Sequence, residues 1–200
     1  MNKSLLSTRK ATDRNRAQRF FTCPLYALII MGLMAIMIKL TDAQAAGPSL
    51  GESLSYIHNT PLAKAIELPG LDDTTYSLLD YRGKVVVVNY WATWCPPCVE
   101  EFPSMQALWD RLDQSDFEIL AVNVGEASDD IKRFLNRFDP PIGFPVLLDR
   151  SMNTVKNWGV LGLPTTYIIN KQGQLVYRTT GGREMNSDHI REKITELINK

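Results

Sequence analysis

VVVVNYWATWCPPCVEEFP, residues 85–103, is the stretch that decides the fold. Residues 85–91 form an unbroken β-branched and aromatic run, which predicts a strand buried on both faces. Pro96 and Pro97 suit a helix start, where the first amides have no intrahelical partner. Phe102, Met105, Leu108, Trp109 and Leu112 then recur at helical spacing, and Pro103 is expected to kink that helix. Cys95 therefore falls at the carboxyl end of a strand and the amino end of a helix. Open α/β sheets commonly place chemistry there.

Working outward, strand and helix patterns alternate. AIELPGLDDTTYSLLDYRGK, residues 65–84, reads as a hairpin and a turn. FEILAVNVG predicts a second buried strand. SDDIKRFLNRF predicts a helix capped by Ser128. FPVLLD predicts a short strand, and MNTVKNWGV a short helix that ends near Gly159. TTYIIN and LVYRTTG form a hairpin with Gly173 in its turn, and a closing helix spans 188–199. This order implies a mixed α/β sheet covered by helices on both faces.

The chain has 200 residues and zero formal net charge, but the charge is uneven. Residues 1–45 carry seven basic and two acidic residues, which leaves 15 basic and 20 acidic over the rest. An acidic body gives no electrostatic reason to bind nucleic acid. The basic start precedes PLYALIIMGLMAIMI, residues 24–38, and then DAQAAG. A basic flank, an apolar run and a small-residue exit are the pattern of an export signal, with Ala43 and Ala45 at a cleavage site. An uncleaved anchor is the competing expectation, since the apolar run almost suffices to span a bilayer. The expected layout is a signal or anchor at 1–45, a linker at 46–60 and one domain at 61–200. The expected location is the periplasm or the outer face of the cytoplasmic membrane.

Cys23 precedes the apolar run, so only Cys95 and Cys98 belong to the body. Their loop is too short to staple a fold. A structural zinc site needs four ligands, and His58 and His189 lack ligand spacing, so no metal site is expected. Met152 and Met185 read as packing or surface residues. Redox chemistry has a direct basis, because a helix amino end stabilises a thiolate. Cys95, outside the first turn, is expected to be exposed and to attack a substrate disulfide. Cys98, one turn further in, is expected to be more buried and to resolve the mixed disulfide. Trp94 either shields the nucleophile and offers a flat contact surface or packs in the core. Glu101 lies on the same helical face as Cys98, whereas Glu100 is rotated towards solvent. Glu101 is either a partly buried base for Cys98, with a raised pKa, or a surface carboxylate of the first turn. In GVLGLPTTYIIN, Pro164 precedes a buried strand; the sequence alone favours a trans turn there, and a cis bond would present the Leu163 backbone to an extended peptide.

WCPPC, LPTTYIIN some seventy residues later, and Pro103 five residues after Cys98 resemble the thioredoxin superfamily. VVVVNYWATWCPPCVEEFP, AVNVGE and FPVLLD are similar to its exported TlpA/ResA-like branch, over about residues 61–200. The resemblance implies a thioredoxin-like fold, a central mixed sheet flanked by helices. It adds an N-terminal hairpin and an inserted helix and strand within residues 126–149. It implies Cys95 as the attacking and Cys98 as the resolving cysteine of a redox-active disulfide, Glu101 as an active-site glutamate, and a cis Pro164. It implies a substrate surface of Trp94, Pro96, Pro97, Leu163, Pro164 and Thr165. Asn89 stands where cytoplasmic thioredoxins carry a buried aspartate.

The branch further implies an exported thiol–disulfide reductase of protein disulfides, such as the CxxCH pair of apocytochrome c before haem attachment. Electrons would come from a membrane thiol transporter of the DsbD/CcdA type. No cofactor is expected, because the cysteine pair itself carries two electrons. The rivals are a disulfide-donating oxidase, a peroxidase, and a metal or haem chaperone that uses the same cysteines.

Overall fold

Residues 85–91 alternate their side chains between two cores, and this strand organises the molecule. The computed structural model describes residues 54–200, which lie in one compact unit, Leu50–Lys200. The strands are β1 (Ser55–Tyr56), β2 (Glu67–Pro69), β3 (Thr75–Ser77), β4 (Val85–Trp91), β5 (Phe117–Val124), β6 (Val146–Asp149), β7 (Thr165–Ile169) and β8 (Leu175–Thr180). The helices are α1 (Pro96–Arg111), α2 (Ser128–Leu135), α3 (Asn153–Trp158) and α4 (Asp188–Ile198). Six strands form one sheet in the order β1-β8-β7-β4-β5-β6, and β2 pairs with β3 in a separate hairpin.

The sheet is mixed. β4 runs parallel to β5, and β5 to β6, while β7 runs antiparallel to β4 and to β8. All seven β4 residues are buried. Val85, Val87 and Trp91 enter one core with Phe102, Met105 and Leu108 of α1 and Ile190 and Ile194 of α4. Val86, Val88 and Tyr90 enter the other, with Leu120, Trp158 and Tyr167. The alternation follows from the two-residue period of a strand. The same parity sends Asn89 to the α1 side.

α1 is held at Phe102, which is fully buried against Trp91, 4.5 Å between ring centroids, and is ringed by Phe134, Phe138 and Phe144. Burying one such side chain stabilises by about 1.5–3 kcal/mol. The inserted α2 and β6 thus supply part of the wall against which α1 packs.

The expected thioredoxin-like α/β fold, with its N-terminal hairpin and inserted helix and strand, is the observed one. Several local details differ. The stretch expected as linker contributes β1, whose Ser55 and Tyr56 pair with Arg178 and Tyr177. Two residues of pairing on an otherwise open edge leave no periodicity to detect. Ser128 is the first residue of α2 rather than its cap, and its hydroxyl instead accepts from Arg150. α2 ends at Leu135, and Asp139–Pro140 beyond it is a cis bond. α3 does end at Gly159, which is left-handed (φ 65°), a conformation that glycine adopts without a Cβ clash. The apolar run 24–38 and Cys23 lie outside the described residues.

Candidate active site

Cys95 and Cys98 are joined by a disulfide, S–S 2.11 Å, at the amino end of α1. Cys95 is the N-cap, and its carbonyl accepts the amides of Cys98 (3.0 Å) and Val99 (3.2 Å). Pro96 and Pro97 fill the first turn without presenting amides that would lack partners. The positive end of the helix dipole therefore faces the Cys95 sulfur and favours its thiolate. The loop that brings the chain from β4 to α1 is tied to the end of β5. Thr93 donates its amide to Glu126 Oε2 at 2.8 Å, and Asn123 donates to the same oxygen at 2.6 Å.

Cys95, expected to be exposed, is 5% exposed, and Cys98 is wholly buried. The disulfide form packs the Cys95 side chain against the apolar core under α1. Cys95 still borders an open groove of 590 Å³, lined also by Trp94, Pro96, Pro97, Leu161 and Leu163. Trp94 is 67% exposed and Leu161 94%, so the groove is apolar and open to solvent. Trp94 is thus an exposed wall of the groove, not a core aromatic. Met152, 44% exposed, adds to one wall, whereas Met185 is fully buried.

Across the groove the Leu163–Pro164 bond is cis. The sequence alone favoured trans, and the resemblance implied cis; the close pairing of Thr165 with Thr180, and the Gly181 amide on the Pro164 carbonyl at 2.8 Å, are set by β8, which local sequence does not report. Leu163 lines the groove, but Thr165 is fully buried, and its hydroxyl donates to the Gly162 carbonyl at 2.7 Å. Thr165 therefore fixes the turn beneath the groove and does not face a substrate.

Beneath the disulfide lies a buried polar cluster. Glu101, 2% exposed, points with Cys98 from the inner face of α1. Its Oε1 accepts from Asn89 Nδ2 at 2.7 Å, and the same nitrogen donates to Thr166 Oγ1 at 3.0 Å. Its Oε2 accepts the Arg183 amide at 3.3 Å. Burial raises the Glu101 carboxyl to about 8; the bonds from Asn89 and Arg183 and the Arg183 charge only partly offset it. A carboxyl that titrates near neutrality can take up and return a proton at working pH. Glu100, by contrast, faces solvent.

Thr166, Gly182, Arg183 and Glu126 belong to this site and were not singled out from sequence. A Cβ on Gly182 would lie 2.7 Å from the Pro97 carbonyl oxygen, so glycine alone lets the 181–183 loop seat against the active-site turn. The Gly181-Gly182 pair after a predicted strand was the one available signal.

A thioredoxin-like sheet with a Cys-Pro-Pro-Cys disulfide at a helix start, opposite a cis-proline, defines a thiol–disulfide oxidoreductase. The chain belongs to the AhpC/TSA family, whose model matches residues 61–178. It is 35% identical over 131 residues to the thiol-disulfide oxidoreductase ResA of Halalkalibacterium halodurans, covering 66% of this chain and 72% of that one. The ResA of Geobacillus thermodenitrificans is 38% identical over 130 residues, covering 65% and 72%. Among solved structures, a putative thiol:disulfide interchange protein DsbE from Chlorobium tepidum superposes with a TM-score of 0.64 at 29% identity, over 73% of this chain and 99% of that one. The exposed lipoprotein thioredoxin Etrx1 of Streptococcus pneumoniae gives 0.59 at 32% identity, over 67% and 100%.

Proposed function

We propose that this oxidoreductase works as an exported reductase of protein disulfides. The observation that carries the proposal is the Cys95–Cys98 pair set over a buried, titratable Glu101 and beside an open apolar groove. In the dithiol form, the Cys95 thiolate attacks one sulfur of a substrate disulfide. The other substrate sulfur leaves as a thiolate and takes a proton, and a mixed disulfide forms. Glu101 accepts the Cys98 proton, and the Cys98 sulfur attacks Cys95. The second substrate sulfur leaves as a thiol, and two electrons have passed from the protein to the substrate.

The substrate chain would lie in the groove of Trp94, Leu161 and Leu163, where an extended peptide also reaches the Leu163 backbone. The apocytochrome c CxxCH pair is a fitting substrate class, and a membrane thiol transporter of the DsbD/CcdA type a fitting electron donor. Export rests on the basic, apolar and small-residue order of residues 1–45. Among the described residues no helix is long and apolar enough to cross a membrane.

The test is the reduction potential of the Cys95–Cys98 pair, equilibrated against defined thiol buffers. A value near that of thioredoxin, about −270 mV, supports the reductase. A value near about −120 mV makes the protein a disulfide donor and ends the proposal.

A further inference from the structure

The turn that carries the attacking cysteine hangs from a single carboxylate. Only Ala92, Thr93 and Trp94 separate β4 from Cys95. The Cys95 amide donates to the Ala92 carbonyl at 3.2 Å and closes them into a tight turn. Within that turn Thr93 is held at two points. Its amide donates to Glu126 Oε2 at 2.8 Å, and its hydroxyl donates to Glu126 Oε1. A residue bound through both backbone and side chain cannot rotate without breaking two charge-assisted bonds.

Glu126 is itself braced. Asn123 Nδ2 donates to its Oε2 at 2.6 Å. Asn123 is 1% exposed, and its Oδ1 has no donor among the described residues, so the bond to Glu126 orients its amide. Gly125, left-handed at φ 77°, turns the chain between the two. The Gly125 amide donates to the Asp149 carbonyl at 3.1 Å, and the same carbonyl accepts the Met152 amide at 3.0 Å. Trp94 and Met152, which both line the apolar groove, are therefore tied to one segment, residues 123–126.

The charge of Glu126 and its bonds act on Cys95 in opposite senses. A carboxylate bonded to a residue two before the cysteine opposes the thiolate through its charge. The turn that it holds favours the thiolate. It keeps Cys95 as the N-cap (φ −99°, ψ 100°), with its sulfur at the positive end of α1.

We propose that Glu126 is a positioning residue for disulfide exchange: its carboxylate locks Thr93 and so fixes Trp94 and the Cys95 sulfur for attack. The inference rests on the reading of Cys95 as the attacking thiolate of a protein-disulfide reductase.

The test compares E126A with E126Q in the reduced full-length chain, held in a nonionic detergent. Both variants lack the charge. Gln keeps an oxygen for the Thr93 and Asn123 donors, and its own nitrogen can donate to the Thr93 hydroxyl. Ala keeps none of these bonds, so the difference between the variants reports the clamp alone. Two quantities are read. One is the pH midpoint of Cys95 alkylation, followed at that residue by fragmentation mass spectrometry. The other is the rate of reduction of a leucine-flanked peptide with one Cys-Xaa-Xaa-Cys disulfide. The pull of a helix start on a charge is worth about 0.2–0.7 pH unit. The midpoint should lie higher by that amount in E126A than in E126Q. E126A should also reduce the peptide about threefold or more slowly than E126Q. A midpoint that falls equally in both variants would make Glu126 a charge acting on Cys95 and would overturn the proposal. Equal midpoints and rates, whatever the thermal stabilities, would leave Glu126 a support of the fold alone and overturn it too. If E126A does not fold, T93V carries the test, because it keeps the amide bond and the charge and loses the hydroxyl bond. Its midpoint should rise above that of the unaltered protein, and an unmoved midpoint would end the proposal. If the unaltered chain reduces no peptide, the reductase reading fails, while the alkylation comparison still decides the role of Glu126.

Discussion

Replacing Glu101 with Gln should make the stability of this protein far less sensitive to pH. In the unfolded chain the carboxyl ionises near 4.5, and in the fold near 8. Between these values the folded state holds a proton that the unfolded state has released. Raising the pH through this window therefore favours unfolding, and stability falls. The loss is small at pH 5, grows with each unit and levels off above pH 8. A shift of this size is worth about 3–4 kcal/mol between pH 5 and pH 8, at 1.36 kcal/mol per unit. Gln keeps the shape and an acceptor for Asn89 but cannot ionise. The measurement is denaturant unfolding of both oxidised proteins at pH 5, 6, 7 and 8. The Gln variant should gain on the unaltered protein by about 3–4 kcal/mol across that range. A pH-independent offset between the two would refute the argument, because it would mean that Glu101 ionises in the fold as it does in water. The same variant should flatten the pH dependence of Cys98 alkylation in the reduced protein.

Two further changes probe the surroundings of the pair. Gly182→Ala drives a Cβ to 2.7 Å from the Pro97 carbonyl oxygen, whereas Gly162→Ala meets its nearest neighbour, Thr180 Cγ2, at 4.0 Å. The first should cost about 1–3 kcal/mol in thermal unfolding and slow disulfide exchange, and the second should be tolerated within about 0.5 kcal/mol; equal effects would deny the close seating of the 181–183 loop. Asn89→Ala removes a bond that holds the Glu101 carboxylate, 2.7 Å from Oε1. The Glu101 carboxyl should then titrate higher, so the pH midpoint of Cys98 alkylation should rise relative to the unaltered protein, and a midpoint that falls or stays would remove Asn89 from the control of Glu101.

Much of the fold was legible because its signals are local. The β-branched run of β4 and the Pro-Pro start of α1 fix a strand, a helix and the junction between them within one short stretch. Patterns of period two and 3.6 placed the remaining major elements. Ends were less legible: α2 stops at Leu135, and the chain goes on in tighter turns, with Arg137 donating to the Phe134 carbonyl and Phe138 to that of Leu135, while Phe134 and Phe138 both pack on Phe102. β1 was invisible, because two residues on a sheet edge carry no period.

By itself the sequence determined the cysteine pair, its place at a helix amino end, and the shared helical face of Cys98 and Glu101. Those are matters of spacing along one chain segment. Only the tertiary structure decided how deeply Cys95 and Glu101 are buried. It also joined Asn89, Thr166 and the Arg183 amide around one carboxyl, from three segments up to 94 residues apart in number. The same is true of the groove, whose walls come from the active-site turn around Trp94 and from the Val160–Leu163 segment. Desolvation sets the Glu101 proton, and desolvation depends on what packs around a group rather than on its neighbours in sequence.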